Sequence, residues 1–478
     1  MKLIFDVSDK PKAGQLVVFA LQQMLAILAA TIAVPLIIGN GLTPAAAMFG
    51  AGVGTIVYIL FTKRKSPVFL GSSFAFLGSM AAAFAGGVSM QLGMLGLIIG
   101  ALLAGLVYVV IAIVVKFVGV GWLNKLMPAV VIGPTVAIIG LSLAGNAIGD
   151  LLKGDVTKQV TEYVVSTDSG TPEIIENVSN VPVGSSYVAL VCGLITLAVV
   201  MLCSTYGKKT LRLIPFIIGI LAGYAAAAIF TVIGNICDID ALKIVDLSVF
   251  SSYMLTDGSI SLKTFVSLPD FAFVSGLKGL KEFDFSYFAT IFVAYVPVAL
   301  VVFAEHVADH KNLSSIIDHD LLEEPGLTRT LLGDGVGSIA GALFGGCPNT
   351  TYGESVACVA ITGNASVITI FAAAIGCMLF SFITPLVAFV DSIPACVMGG
   401  VCIALYGFIA VSGLKMIQDV NLDDNRNLFV VSVILIAGIG GLTLTFGDIT
   451  LTEVAAALIL GILTNVMLSK KKGNADKK

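Results

Sequence analysis

Long apolar runs dominate this sequence and decide what kind of fold it can adopt. A helix needs about 20 mostly apolar residues to cross the hydrocarbon core of a bilayer. Twelve runs approach that length, beginning near Gln15, Ala45, Gln91, Met127, Ser186, Leu213, Phe285, Thr330, Val367, Ile393, Leu428 and Thr450. Hydrophobic residues form 57% of the chain and charged residues only 12%, whereas soluble proteins carry about a quarter charged residues. The sequence therefore predicts an all-α polytopic membrane protein.

Two further apolar stretches, 68–87 and 347–363, contain clusters of small and polar residues near their starts, GSSF and CPNTTYGES. Adding them gives fourteen segments, which divide into seven plus seven with the interrupted segments third in each half. Seven spans per half invert the second half relative to the first, and interrupted helices at matched positions indicate a transporter's binding site. The alternative is that both stretches are helix caps or re-entrant loops without a transport role.

Basic residues in the short loops predict the orientation of the chain. They are Lys63, Arg64, Lys65, Lys116, Lys125, Lys208, Lys209, Arg212 and the cluster Lys470, Lys471 and Lys472. All of them fall on one side only if both termini are cytoplasmic, as the positive-inside rule favours. The net charge of -4 offers no basic surface for nucleic acid. We therefore expect a multi-pass protein of the cytoplasmic membrane, with lipid and a small polar solute as its partners.

Two isolated carboxylates are the strongest candidates for a binding site. Glu305 and Glu354 each stand alone in a long stretch of uncharged residues, and a charge at membrane depth is costly enough to indicate function. A carboxylate accepts N–H groups but donates none when ionised. The alternative for each glutamate is a bond to a backbone amide or a place at a helix end near water.

The first half of the chain brings no charge to its interrupted segment. Ser72, Ser73 and Phe74 would meet a ligand there with hydroxyl groups and backbone amides, since unwound backbone offers donors at such sites. A flat ring with alternating N–H and C=O groups would satisfy both halves. Two nearby carboxylates favour the binding of a proton, and Asp309, four residues after Glu305, could extend a proton path. A charge at a cytoplasmic helix end is the alternative for Asp309.

The three histidines are predicted to be polar residues near a helix end. His306 and His310 have the i, i+4 spacing that can hold a metal, but the HExxH arrangement of zinc enzymes is absent. Neither a convincing metal motif nor a nucleophile paired with a base lies in the apolar segments. We expect no enzyme activity, no metal and no cofactor other than a coupling proton.

Several motifs resemble the nucleobase-ascorbate transporter family, with the greatest likeness to its bacterial uracil-carrying members. They are FLGSSFAF at 69–76, AEHVAD at 304–309, PNTTYGES at 348–355, LQQ at 21–23, AVP at 33–35, GDGVGS at 333–338 and ALYG at 404–407. The likeness covers nearly the whole chain. It implies proton-coupled uptake of uracil or a related pyrimidine by alternating access.

The resemblance also implies an architecture. It predicts a fourteen-span inverted repeat, short strands in spans 3 and 10, and often a homodimer. Spans 1–4 and 8–11 would form a core domain, and spans 5–7 and 12–14 a gate domain. The corresponding residues are 15–145 for spans 1–5, 186–236 for spans 6–7, 285–388 for spans 8–11, and 393–468 for spans 12–14.

Individual roles follow from the same resemblance. Glu305 and Glu354 would bind the uracil ring, and the backbone at Phe74 and Gly353 would contact its carbonyl groups. Ala30, Tyr352 and Tyr406 would line the pocket, beside the Ser73 suggested by the sequence pattern itself. Proton coupling would involve Glu305, Asp309 and Asp334.

The chain departs from the family pattern at Asp309, where the pattern has His, and in the signature E-N-x-G, where this chain has Ser355 and Ala357. Asp334 matches an acidic position that some members replace with Asn, and the alternative to a coupling role is that it braces span ten. By the same resemblance, purine and xanthine carriers of the family usually have Gln at the position of Glu354. The glutamate of this chain therefore favours uracil as the substrate. A purine or xanthine permease on the same scaffold is the nearest alternative. An anion transporter of the related sulfate-transporter fold, a membrane-embedded enzyme and a passive channel are the more distant ones.

Overall fold

The computed structural model describes residues 3–119, 128–166, 173–208, 210–252, 260–418, 420–446 and 449–469. The helices within these ranges are α1 (Ala13–Ile38), α2 (Pro44–Phe61), α3 (Leu77–Ala83), α4 (Met90–Val118), α5 (Ala129–Ser142), α6 (Ala144–Leu151), α7 (Ser186–Tyr206), α8 (Thr210–Leu213), α9 (Pro215–Cys237), α10 (Ser248–Ser252), α11 (Ala272–Gly276), α12 (Phe285–Ile317), α13 (Leu327–Gly345), α14 (Gly353–Thr362), α15 (Val367–Phe380), α16 (Thr384–Asp391), α17 (Ala395–Met416), α18 (Asn425–Ile439) and α19 (Glu453–Leu468).

The described part of the chain also contains six strands, which form three antiparallel pairs. The pairs are β1 (Leu70–Ser72) with β4 (Asn349–Thr351), β2 (Thr157–Ser166) with β3 (Glu173–Pro182), and β5 (Leu444–Phe446) with β6 (Ile449–Leu451). β1 and β4 lie inside the two interrupted apolar stretches. The chain is thus mostly helical, as predicted.

Eight of the described helices are long and apolar enough to cross a membrane: α1, α2, α4, α7, α9, α12, α17, and α5 continued by α6. Shorter apolar helices of 10–17 residues include α14, α15, α18 and α19. The predicted multi-pass character is therefore confirmed, while the count of fourteen spans and the orientation stay predictions. Met127, Lys125, Lys209 and the cluster Lys470, Lys471 and Lys472 lie outside the described residues.

The chain divides into two compact units. The larger comprises Met1–Leu143, Phe265–Val387 and Leu405–Lys478, and the smaller comprises Ala144–Thr264 and Ala388–Ala404. Every predicted site residue lies in the larger unit. The core and gate boundaries expected from the family resemblance remain a prediction.

Within the larger unit, α2 and α13 approach each other through glycines. A methyl group built on Gly50 would lie 2.4 Å from the carbonyl oxygen of Gly341 and 2.9 Å from the amide nitrogen of Gly345. One turn further along α2, a methyl group on Gly54 would lie 2.8 Å from the carbonyl oxygen of Gly337. Small residues at four-residue spacing allow such close contact where hydrophobicity cannot drive helices together.

We expect Gly50→Ala to destabilise the larger unit by about 1–3 kcal/mol, the usual cost of overpacking, because the added methyl group would meet backbone atoms that cannot rotate away. Gly407→Ala is the matched control, since a methyl group there has no neighbour within 4 Å and alanine favours a helix. Thermal unfolding of both variants in detergent measures the difference. Equal unfolding midpoints would contradict the close packing.

In the smaller unit, the segment after α6 holds the first residues of α17. Asp155 Oδ1 accepts a hydrogen bond of 3.0 Å from the Ala395 amide, and the Cys396 amide donates to the Lys153 carbonyl at 3.1 Å. Burial raises the pKa of Asp155 to about 6, although the Ala395 amide partly opposes the shift. The carboxyl group therefore holds its proton more tightly in the folded protein than in the unfolded chain, where its pKa is about 3.9.

This difference predicts that the free energy of unfolding falls as the pH rises from about 4 through about 6, because the folded state then loses a proton it binds preferentially. Asp155→Asn keeps an acceptor for the Ala395 amide and removes the titration. We expect this variant to gain stability relative to the wild type between about pH 4.5 and pH 7.5, measured by thermal unfolding. Asp240→Asn is the control, since Lys243 lowers the pKa of that exposed carboxyl. A constant difference between Asp155→Asn and wild type would contradict the prediction.

Candidate functional site

The strand pair β1–β4 joins the interrupted stretches of the two sequence halves. Its register is Leu70 with Thr351, Gly71 with Thr350, and Ser72 with Asn349. Backbone bonds extend the pair, since the Ser73 amide donates to the Pro348 carbonyl at 2.9 Å and the Tyr352 amide to the Phe69 carbonyl at 3.1 Å. The two stretches therefore form one local structure despite lying almost 280 residues apart.

Hydroxyl groups from α2 and α13 form hydrogen bonds with backbone groups at the outer edges of these strands. The Leu70 amide donates to Thr55 Oγ1 at 2.9 Å, and that hydroxyl lies 3.1 Å from the Leu70 carbonyl oxygen. On the other strand, the Asn349 amide donates to Ser338 Oγ at 3.0 Å. Backbone polar groups at membrane depth need such partners because no lipid atom can supply them. The strand pair is thus anchored by helices on both sides.

Each strand leads directly into a helix. A 3₁₀ turn at Phe74–Phe76 and then α3 follow β1, while α14 begins at Gly353, two residues after β4 ends. The first amides of a helix have no partner within it, and a helix N-terminus carries partial positive charge. The backbone at Phe74 and Gly353 can therefore offer N–H donors.

The start of α14 lies beside the carboxylates of α12. Thr351 Oγ1 donates to Asp309 Oδ2 at 2.7 Å, and Asp309 Oδ1 lies 3.8 Å from a methyl group built on Gly353. Glu305 lies close enough to Asp309 and Glu354 for the charges to repel. All three carboxyl side chains are half-buried, and Gly353 is exposed. The structure thus gathers four of the predicted residues into one group.

Aromatic rings surround the end of β1. The rings of Phe74 and Tyr406 meet edge to face with centroids 5.9 Å apart. The Tyr352 hydroxyl donates to the Ser72 carbonyl at 2.8 Å, and a methyl group built on Gly71 would lie 2.3 Å from the Tyr352 ring. The predicted residues Phe74, Tyr352 and Tyr406 are therefore placed around the strand pair, while a pocket shared with the carboxylates stays a prediction.

Two other predicted pocket residues are fully buried. The Ser73 hydroxyl has no hydrogen-bond partner among the described residues, so it can serve a bound solute. Ala30 is 1% exposed in α1 and offers only a methyl group. Its place in the wall of a pocket remains a prediction.

The prediction of helix-end histidines is wrong for His306 and His310, which are buried at 0% and 1% exposure. His306 Nδ1 lies 2.6 Å from Asp334 Oδ2, and its Nε2 lies 3.1 Å from Thr330 Oγ1. His310 Nε2 lies 2.6 Å from the Tyr58 hydroxyl. Burial of these polar rings is possible because other helices supply partners. Asp334 therefore pairs with a buried histidine, and its charge still acts on Glu305 and Asp309.

Sequence reasoning also missed the role of Ser355, the position where the family pattern has Asn. Ser355 Oγ accepts a hydrogen bond of 3.0 Å from the Phe69 amide and another from Gln23 Nε2 of α1. One hydroxyl thereby ties α14 to both α1 and the strand preceding Phe74. The departure at Ser355 and the LQQ motif were signals for this contact, but neither indicated its partner.

Comparison with known proteins decides the family. The family model described as "Permease family" matches residues 14–175 and 169–446. The chain belongs to this permease family. Membership confirms the resemblance to nucleobase-ascorbate transporters, and it makes the protein a transporter rather than an enzyme.

Named relatives of this permease match almost its entire length. The uracil permease of Bacillus caldolyticus is 36% identical over 478 residues, covering 99% of this chain and 97% of the relative. The uracil permease of Bacillus subtilis (strain 168) is 34% identical, covering 98% and 96%. That of Escherichia coli (strain K12) is 33% identical, covering 95% and 92%.

Solved structures share the fold of this permease at low sequence identity. The transmembrane domain of the cyanobacterial bicarbonate transporter BicA aligns with a TM-score of 0.57 at 13% identity, covering 96% of this chain and 99% of that domain. The murine anion transporter Slc26a9, in its inward-facing state, aligns with a TM-score of 0.61 at 11% identity, covering 96% and 69%. These likenesses concern the fold alone.

Proposed function

We propose that this permease takes up uracil across the cytoplasmic membrane by alternating access, coupled to protons. The observation that carries the proposal is the group of partly buried carboxylates, Glu305, Asp309 and Glu354, at the first turn of α14. Full-length relatives named uracil permeases support the choice of substrate.

The chemistry of the ring matches the donors and acceptors. Uracil presents two N–H groups and two carbonyl oxygens around a flat ring. Glu354 and Glu305 accept the N–H groups, while the backbone amides at Phe74 and Gly353 donate to the carbonyls. The unpartnered hydroxyl of Ser73 supplies a further bond. Tyr352, Tyr406 and Ala30 enclose the apolar faces.

Protons enter the cycle through the acidic groups. Three carboxylates this close repel one another, so a proton shared by Glu305 and Asp309 stabilises the site when uracil binds. Asp334 takes part from its buried position. No cofactor beyond the proton is needed for the cycle.

The larger architecture follows the expectations drawn from the sequence. Fourteen spans form an inverted 7+7 repeat with both termini in the cytoplasm. The core domain, formed by spans 1–4 and 8–11, carries uracil past a gate domain formed by spans 5–7 and 12–14. Residues 15–145 contain spans 1–5, residues 186–236 spans 6–7, residues 285–388 spans 8–11, and residues 393–468 spans 12–14. Two copies of the chain form a homodimer in the membrane. The similarity to BicA and Slc26a9 supports a transporter fold of this kind.

Competition binding tests the substrate. Purified protein in detergent is equilibrated with radiolabelled uracil and challenged with unlabelled uracil, thymine, xanthine, adenine or sulfate. We expect displacement by uracil and by close pyrimidine analogues but not by xanthine, adenine or sulfate. A protein that binds no uracil and binds radiolabelled xanthine instead would belong to the purine branch, and the proposal would fail.

A further inference from the structure

Asn349, the first residue of β4, places its side chain between α2 and α13. The residue is almost completely buried, with 3% of its surface exposed. Its Nδ2 donates a hydrogen bond of 3.1 Å to the Gly50 carbonyl of α2, and its backbone amide donates to Ser338 Oγ of α13 at 3.0 Å. One residue therefore ties the β1–β4 pair to both helices.

Three glycines surround the amide group of Asn349. A methyl group built on Gly341 would lie at most 3.0 Å from Cγ, Oδ1 and Nδ2 of Asn349, and one built on Gly54 would lie 2.5 Å from Nδ2. Such distances are too short for van der Waals contact, so a side chain at either position would displace the amide. We call Gly50, Gly54 and Gly341 the glycine socket.

Both the size and the chemistry of the socket fit asparagine. Aspartate has nearly the same shape, but its carboxylate has no N–H to donate to the Gly50 carbonyl and would bring a costly charge into a buried place. Glutamine is one methylene group longer, and overpacking a filled space is destabilising. Alanine would leave the socket empty and lose the hydrogen bond. The socket therefore holds one particular side chain in one position.

The backbone on either side of Asn349 leads to the proposed uracil site. Four residues later α14 begins at Gly353, with Glu354 in its first turn. Across the strand pair, Asn349 lies opposite Ser72, which precedes Phe74 by two residues. A shift of Asn349 relative to α2 would therefore move both backbone segments that are proposed to donate to the ring carbonyls.

We propose that Asn349 is a positioning residue for solute binding, and that its amide in the glycine socket fixes β4 and the first turn of α14 against α2 and α13. This inference rests on the proposed function for the identity of the solute. Asn349 itself faces the helices, so it acts through Gly353 and Glu354. Small displacements matter at a site of this kind, where a misplacement of about 1 Å can cost about a hundredfold in activity.

Equilibrium binding of radiolabelled uracil to purified protein tests the positioning role. Asn349→Ala removes the amide group and keeps the backbone bond to Ser338. We expect this variant to bind uracil at least about tenfold more weakly than the wild type. Wild-type affinity in Asn349→Ala would overturn the inference.

Asn364→Ala is the matched control. Asn364 is 4% exposed, its Nδ2 donates to Thr369 Oγ1 at 3.0 Å, and it follows the opposite end of α14. We expect its substitution to lower the unfolding temperature but to leave uracil affinity within about threefold of the wild type. Equal losses of affinity in Asn349→Ala and Asn364→Ala would overturn a specific role for Asn349.

A double variant separates positioning from stability. Gly341→Ala alone should lower the unfolding temperature, because its methyl group meets the Asn349 amide. In Asn349→Ala that space is free, so adding Gly341→Ala should cost little further stability, and the two effects should not add. Uracil binding by the double variant should stay at least about tenfold weak, since the bond to the Gly50 carbonyl is still missing. Recovery of binding in the double variant would show that Asn349 only fills space.

The unfolding measurements do not depend on the solute. Additive shifts of the unfolding temperature for Asn349→Ala and Gly341→Ala would overturn the socket even if uracil binding is established. Non-additive shifts in a protein that binds no uracil would support the socket and reject the proposed substrate.

Discussion

We expect Glu354→Gln to weaken uracil binding by about tenfold to a hundredfold while the protein stays folded. The ionised Glu354 side chain accepts one ring N–H, and such a charge-assisted bond contributes about 1.5–3 kcal/mol. The amide of glutamine turns one acceptor into an N–H₂ group, which faces the N–H of the ring. Each 1.4 kcal/mol lost weakens binding tenfold. Equilibrium binding of radiolabelled uracil to purified protein measures the change.

Glu453→Gln is the matched control, because Glu453 also lies in the first turn of an apolar helix, α19. We expect it to bind uracil as the wild type does. Thermal unfolding of both variants shows whether the fold is retained. If Glu354→Gln binds uracil normally, Glu354 does not contact the ring and the site lies elsewhere.

We expect Gly71→Ala to lower uracil uptake by at least about tenfold. A methyl group at this position would lie 2.3 and 2.4 Å from two atoms of the Tyr352 ring. The ring cannot move away freely, because its hydroxyl is bonded to the Ser72 carbonyl and its backbone amide to Phe69. The strand pair must therefore shift, and with it the backbone at Phe74 and the start of α14.

Gly78→Ala tests the same segment without the clash. The nearest atom to a methyl group on Gly78 is 3.7 Å away, an ordinary contact, so uptake by this variant should match the wild type. Initial rates of radiolabelled uracil uptake into cells, corrected for the amount of protein in the membrane, compare the two. Wild-type uptake by Gly71→Ala would show that the β1–β4 pair does not position the site.

Hydropathy alone located most helices of this permease. The predicted starts at Gln15, Gln91, Ser186, Phe285 and Val367 lie within two residues of the observed ones. The length of an apolar run depends only on consecutive residues, so it predicts a membrane-spanning helix without knowledge of the helices that pack against it. The same reasoning found the two interrupted stretches, because small and polar residues at their starts break an otherwise apolar pattern.

Contacts between distant segments could not be predicted in the same way. The sequence marked His306 and His310 as polar residues near a helix end, but their burial depends on Asp334 and Tyr58, which other helices supply. A polar side chain within an apolar stretch of sequence can either contact water at a helix end or bind a polar partner in the protein interior. Only the packing of α2, α12 and α13 decides between the two.

The contacts of the N-terminal segment also could not be predicted from the sequence. The Ile4 amide donates to the Gly363 carbonyl at 2.7 Å, and the Ala365 amide donates to the Phe5 carbonyl at 2.9 Å. The first residues therefore bind the loop that follows α14, more than 350 residues away in sequence. Short polar and apolar residues before a first helix give no signal for such a partner.

The β2–β3 hairpin was not among the elements predicted from the sequence. Its strands pair over ten residues each, from Thr157 with Pro182 to Ser166 with Glu173. Threonine, valine and tyrosine make up most of TKQVTEYVVS, and such β-branched and aromatic residues are typical of a strand, so this element was open to prediction.

Uptake of radiolabelled uracil into proteoliposomes, with and without an inward proton gradient, tests the central claim most directly. Reconstituted wild-type protein should accumulate uracil above the external concentration only when the gradient is present. A protonophore should abolish the accumulation, and unlabelled uracil should block it while xanthine and sulfate do not. Saturable uptake that is indifferent to the gradient would contradict proton coupling. Absence of any uracil uptake by folded protein would contradict the assignment of the substrate.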